Sequence, residues 1–129
     1  MLTARRVLAF GLILLAAAGC QRRLNVTEAL SLDVGVVRSL EIDPPRYEQR
    51  VTVAVETDGP VSAYLLLKKD EAAAQEALDK GRKPDHVLAS WKGDSPGSLE
   101  GTVPANEVAV VILTTDTKPA NVTLRITGK

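Results

Sequence analysis

Three valines set the terms for this chain. Within residues 50–57, Val51, Val53 and Val55 alternate with Thr52, Ala54 and Glu56. Successive strand side chains point to opposite faces, so the segment has one apolar and one polar face. Such a strand persists only when another layer covers its apolar face. The same period returns in residues 121–127, where Val122, Leu124 and Ile126 alternate with Thr123, Arg125 and Thr127. It also runs through residues 32–42. There Leu32, Val34, Val36, Leu40 and Ile42 share a face interrupted by Arg38, and Val37 is out of phase. Residues 61–68 are apolar on both faces, which places them centrally in a sheet. Residues 86–92, 98–103 and 108–114 read as further short strands.

The punctuation between these strands is strong. Asp43-Pro44-Pro45-Arg46 stops the first, because proline cannot donate to a ladder. Asp58-Gly59-Pro60 is a turn in which glycine accepts positive φ, and it predicts a hairpin between residues 50–57 and 61–68. Residues 93–97, Pro104-Ala105-Asn106-Glu107 and Asp116-Thr117-Lys118-Pro119 separate the later strands. One segment changes period. Residues 70–80 hold Ala72, Ala73, Ala74, Ala77 and Leu78, all good helix formers. Asp70 suits the N-cap, Glu76 and Lys80 pair at i,i+4, and Gly81 stands where a C-terminal glycine belongs. The expectation is an all-β fold: an antiparallel β-sandwich of about seven strands with one short inserted surface helix.

Cys20 is the only cysteine among the 129 residues, so no intrachain disulfide holds this sandwich. His86 is the only histidine, and no Cys/His metal cluster can be assembled. Ahead of Cys20 lies an uncharged stretch, Val7 to Ala18, preceded by Arg5 and Arg6. It has the length of a signal-peptide core, where about twenty residues would be needed to span a bilayer. Ala16, Ala17, Ala18 and Gly19 are small, as a signal peptidase requires. Cleavage before Cys20 leaves 110 residues, enough to bury roughly 60–70% of the unfolded chain's surface. The precursor carries 16 basic and 16 acidic residues; loss of Arg5 and Arg6 leaves a formal charge of −2. The charges are scattered, which excludes a nucleic-acid stripe.

Ala17-Ala18-Gly19-Cys20 resembles the signal peptides of bacterial lipoproteins, with Ala17 where leucine is usual. The resemblance implies a diacylglycerol thioether on Cys20, and two or three acyl chains hold a protein at a bilayer firmly. The organisation it implies is a signal peptide over residues 1–19, a lipidated cysteine and tether over 20–31, and a sandwich domain over 32–129. The location would be the cell membrane or outer membrane, facing the periplasm or exterior. Gln21 in place of aspartate favours the outer membrane. An ordinary signal peptide with a chance cysteine, or an uncleaved anchor, are the other readings of the same stretch. Arg22 and Arg23 are either solvated or rest on anionic headgroups.

From Val51 onward the order of segments resembles the pre-peptidase C-terminal or GOLD-like sandwich domains. The residues that carry this are VTVAVETDGPVSAYLL, VLASWKG, SLEGTVPANE, VAVVILTTD and NVTLRIT. The resemblance implies a noncatalytic accessory or interaction module and identifies no ligand.

Candidate chemistry is sparse. A nucleophilic triad needs a base, and His86 has no G-x-S-x-G motif to serve. Calcium could draw on turn oxygens of Asp58, Asp94 and Asp116, but no D-x-D-x-D-G run exists, and turn aspartates usually bond their own backbone. Carbohydrate binding needs a flat row of aromatics. Past residue 19 only Tyr47, Tyr64 and Trp91 are available, and Trp91 is either core or a stacking platform. Asn25-Val26-Thr27 and Asn121-Val122-Thr123 match a glycosylation triplet that a bacterial lipoprotein would not use. The sequence therefore points to a non-enzymatic, membrane-anchored binding domain with an envelope protein as partner and no cofactor, metal or nucleic acid. The alternative is an accessory or carbohydrate-binding module for an extracellular hydrolase or polysaccharide.

Overall fold

The alternating segments need a cover, and each sheet finds it in the other. The computed structural model describes residues 24–129. Among these are eight strands: β1 (Asn25–Leu32), β2 (Arg38–Ile42), β3 (Gln49–Thr57), β4 (Val61–Leu67), β5 (Val87–Gly93), β6 (Gly97–Val103), β7 (Ala109–Thr114) and β8 (Ala120–Gly128). Helix α1 (Glu71–Asp79) follows a 3-10 turn at Lys68–Asp70. The strands form two antiparallel four-stranded sheets, ordered β1-β8-β3-β6 and β2-β7-β4-β5. Val51, Val53, Val55, Leu124 and Ile126 of the first share one buried core with Ala63, Leu65, Val111 and Leu113 of the second. This is the expected all-β sandwich, with eight strands in place of seven.

The extra strand comes from two departures. Residues 32–42 are not one strand. Gly35 takes φ +79°, a conformation open to glycine, and turns the chain from β1 in one sheet to β2 in the other. Part of the stretch expected as tether is also strand. β1 begins at Asn25 and pairs with β8 from Asn25↔Thr127 to Leu32↔Ala120. The sandwich therefore starts before Leu32. Leu32 is buried in its core and Leu24 and Leu30, half-buried, pack against it, which supplies the apolar contact a free tether lacks. The signal segment and Cys20 lie outside the described residues.

The hairpin expected around Asp58-Gly59-Pro60 is replaced by a crossing. β3 pairs with β6 and β8, whereas β4 pairs with β5 and β7. The turn is bound to β8 instead of closing a ladder: the Asn121 N–H donates to Asp58 Oδ1 at 2.7 Å. Among the described connections only β4 to β5 stays within a sheet, and it does so through α1.

The helix also has more to do than decorate the surface. Leu66, Val110 and Ile112 point outward from the second sheet, and Ala74 of α1 is buried with them. Tyr64, Leu78, Val87 and Val37 fill the margin of this second cluster. Strand β7 is consequently buried from Ala109 to Leu113 on both faces. Asp70 occupies the N-cap position, yet its side chain caps no backbone N–H. Instead the Lys68 ammonium bridges Glu41 at 2.7 Å and Glu71 at 2.9 Å. This ties the end of β4 to β2 and to the first turn of α1. The C-terminus follows expectation. Gly81 takes φ +72°, its N–H donates to the Leu78 carbonyl at 3.0 Å, and the Arg82 N–H donates to Ala77 at 2.7 Å.

The two sides of the sandwich differ. On one, β5 folds over into β6 with the Trp91 ring between, packed on the core. Gly93 and Gly97 make room for it. A Cβ at Gly97 would collide with the indole Nε1, and one at Gly93 would lie 2.8 Å from Cζ2. On the other side, β1 and β2 are the open edges. Gly97→Ala should therefore destabilise the protein by about 1–3 kcal/mol through overpacking. It should also shift the emission of Trp91, the only tryptophan. Unchanged denaturation midpoint and emission would show that the ring does not sit there.

Candidate functional site

The end of the sandwich reached by β1 gathers four connections, residues 33–37, 58–60, 94–96 and 115–119. Each carries turn formers, and hydrogen bonds bind the first, the second and the last into one unit. The Gly35 N–H donates to the Thr115 carbonyl at 3.1 Å, and the Val36 N–H donates to Asp33 at 3.1 Å. Thr115 is the buried polar residue of this end, 3% exposed. Its hydroxyl lies 2.8 Å from the Pro60 carbonyl and 2.9 Å from that of Lys118. A buried hydroxyl requires such acceptors, and here they come from two different loops. Asn121 extends the network. Its side-chain amide donates to Asp58 Oδ2 at 3.1 Å, and its Oδ1 accepts from the Ser31 hydroxyl at 3.2 Å.

These bonds have an electrostatic consequence. The backbone N–H of Asn121, followed by its side-chain amide, holds the Asp58 carboxyl below its ordinary 3.8. Asp58 therefore serves as a charged clamp between the β3–β4 crossing and β8. A second charged clamp lies at the other end. The hydrogen bonds that Lys68 donates to Glu41 and Glu71 raise its pKa, and Lys68 in turn lowers that of Glu71.

Two large apolar side chains stand out at this braced end, among exposed polar residues that include Asp33, Asp116 and Lys118. Val34 is 48% exposed and Val36 43%. They stand on either side of Gly35 in a loop whose backbone is fixed by hydrogen bonds. Alternation along residues 32–42 assigned both to a buried face. The signal against that assignment was Gly35 itself, since glycine inside a strand pattern marks a bend.

The residues singled out by chemistry are dispersed. His86 is exposed in the turn before β5, with φ 56°. Asp94 and Asp116 are exposed on separate turns, and Asp58 is engaged with Asn121. Among the described residues no group of three or more His, Cys, Asp or Glu side chains could hold a metal ion. The aromatics face three ways. Trp91 packs on the inter-sheet core, Tyr64 lies beneath α1, and Tyr47 is 78% exposed on the β2–β3 connection. They form no row. A cleft of about 210 Å³ opens at the opposite end, lined by Leu24, Arg50, Glu100 and Lys129 among others. An exposed Arg50–Glu100 ion pair of 3.9 Å stands beside it. Among the described residues no helix is long and apolar enough to cross a membrane.

No family model and no curated protein matches the chain. Among solved structures, one chain from Bacillus endospore appendages, described as a novel family of disulfide-linked pili, is similar in fold. It has 11% identity and a TM-score of 0.43, covering 88% of this chain and 94% of that one. A likeness of that size says nothing about activity.

The Asp58 clamp is testable by pH. A carboxyl lowered in the folded state stabilises it fully above the unfolded value and loses that contribution as pH falls through the folded value. The melting temperature should therefore fall more steeply below pH 4 in the parent than in Asp58→Asn. The variant should be less stable at pH 7 and approach the parent at pH 2. Parallel curves would show that the carboxylate is not held.

Proposed function

We propose that this chain is an envelope lipoprotein, anchored through acyl chains on Cys20, that presents a noncatalytic binding sandwich to another envelope protein. The motif ending at Cys20 supports the anchor. The observation that carries the binding function is the Val34–Gly35–Val36 loop, exposed and apolar on a hydrogen-bonded frame. Exposed apolar groups on a fixed backbone bind without the entropic cost of ordering a loop. The loop also stands at the end of β1 away from the anchor. Leu24 enters the sandwich four residues after Cys20, a distance of at most about 14 Å when extended. β1 then carries the chain about 27 Å to the loop. A short tether with the loop at the far end suits display.

The carbohydrate-binding alternative draws no support from the aromatics. Its platform would need Tyr47, Tyr64 and Trp91 on one surface, and they occupy three.

Two measurements examine this reading. Cells expressing the full chain should incorporate labelled palmitate into it, and Cys20→Ser should abolish the label; label surviving that change would defeat the anchor. A photo-crosslinking residue at position 36 should capture one discrete protein, and Val34→Ser should weaken that capture. Equal capture from position 98, on the outer face of β6, would contradict a role for the loop.

A further inference from the structure

β1 is paired on one side. The Gly128 N–H donates to the Leu24 carbonyl, so the even residues of β1 bond to β8. The odd residues Asn25, Thr27 and Ala29 therefore turn their N–H and C=O groups away from the sheet. Ser31 agrees with this phase, since its carbonyl accepts from Arg38 Nη1 of β2 at 3.2 Å. Among the described residues no strand lies beyond β1. The remaining edges are guarded. β2 has five residues, the β4–β5 ladder shifts register between Leu65 and Leu66, and β6 folds against β5 around Trp91. β1 keeps one register over eight residues.

The even side chains of this edge face the space between the sheets. Val26, Glu28 and Leu30 stand opposite Ile126, Leu124 and Val122 of β8, all three buried in the core. The cover ends at the edge. Val26 is 36% exposed, Leu30 is half-buried, and so is Leu40 on the β2 edge of the other sheet. Between Val26 and Leu30 stands Glu28, half-buried, which makes no ion pair with the described residues. A carboxylate withdrawn from water between two apolar neighbours is stabilised by a cation.

We infer that the β1 edge takes up an extended segment of another protein, antiparallel, in which a lysine or arginine has an apolar residue two positions away on either side. Asn25, Thr27 and Ala29 each exchange a pair of backbone hydrogen bonds with the incoming strand. Val26, Glu28 and Leu30 then fall at the positions without hydrogen bonds, where opposed side chains approach most closely. Apolar residues there complete the cover over Val26 and Leu30, and the cation meets Glu28. The backbone bonds supply affinity and the alternate side chains supply specificity. A second copy of β1 does not meet this requirement. Two-fold registers within Leu24–Leu32 that join odd residues to odd residues set Glu28 against a leucine, against Val26 or against itself. The edge uses neither Cys20 nor the valine loop, so it stands apart from the reading given above.

The test uses the full chain carrying Cys20→Ser and two synthetic peptides with blocked termini. One reads Thr-Leu-Thr-Lys-Thr-Val-Thr, and the other has glutamate in place of the lysine. At saturation the lysine peptide should slow amide hydrogen exchange at Thr27 and Ala29 by about tenfold or more, because their N–H groups become bonded. The glutamate peptide should bind about fivefold more weakly, since like charges then stand directly opposite. In Glu28→Lys the preference should reverse, which a merely misfolded variant would not allow. No slowing at Thr27 and Ala29 with millimolar lysine peptide, equal binding of the two peptides to the parent, or an unreversed preference in Glu28→Lys would each overturn the inference.

Discussion

Val53, Val55, Leu124 and Ile126 from one sheet and Ala63, Leu65, Val111 and Leu113 from the other share a single buried core. The rest of the molecule depends on that contact. With Cys20 the only cysteine, no intrachain covalent link substitutes for it. Each fully buried Val, Leu or Ile is worth about 1.5–3 kcal/mol against exposure, which together offsets the entropy of fixing the strands. The crossings make the contact compulsory. Because nearly every described connection passes from one sheet to the other, neither sheet can assemble from consecutive hairpins. α1 adds a third layer by covering Leu66, Val110 and Ile112, so the second sheet is apolar on both faces where the first remains polar outside.

The ends and edges follow from this core. Crossings must turn tightly at the ends, and tight turns expose backbone polar groups that need partners. Thr115, Asp58 and Asn121 supply them at one end, which leaves that end rigid and lets Val34 and Val36 stand out from it. The sides are unequal for a similar reason. Trp91 closes the β5–β6 side because Gly93 and Gly97 yield their space to its ring. The β1–β2 side has no comparable plug. Arg38 of β2 reaches across it to the Ser31 carbonyl at 3.2 Å.

Period-two alternation was enough to read the fold class and most of the strands, and the doubly apolar run of residues 61–68 was enough to put β4 inside its sheet. It failed where the backbone overrides the pattern. Val34 and Val36 keep the right spacing for a buried face, but Gly35 at positive φ breaks the strand between them. Asp58-Gly59-Pro60 has hairpin chemistry and still makes a crossing. Its fate is decided by Asn121, sixty-three positions away, which no local pattern reveals. Residues 25–31 lack a clean apolar stripe because β1 lies at an edge and needs to bury only part of one face. The helix was legible from its alanines, yet its cover over β7 was not, since Leu66, Val110 and Ile112 are brought together only by sheet order. Of the chemical candidates, Asp58 is bound to Asn121 of β8 where the turn pattern pointed to its own backbone, and Trp91 needed the glycines opposite it to be assigned to the core.

The central claim is that two sheets, interleaved by crossings, form one cooperative slab. Native-state hydrogen exchange tests this most directly, because amides that open only on global unfolding share one free energy. Val53 and Leu124 in the first sheet and Leu65 and Val111 in the second should exchange with the same free energy and the same denaturant dependence. A second sheet that opens at markedly lower free energy while the first stays protected would contradict the account.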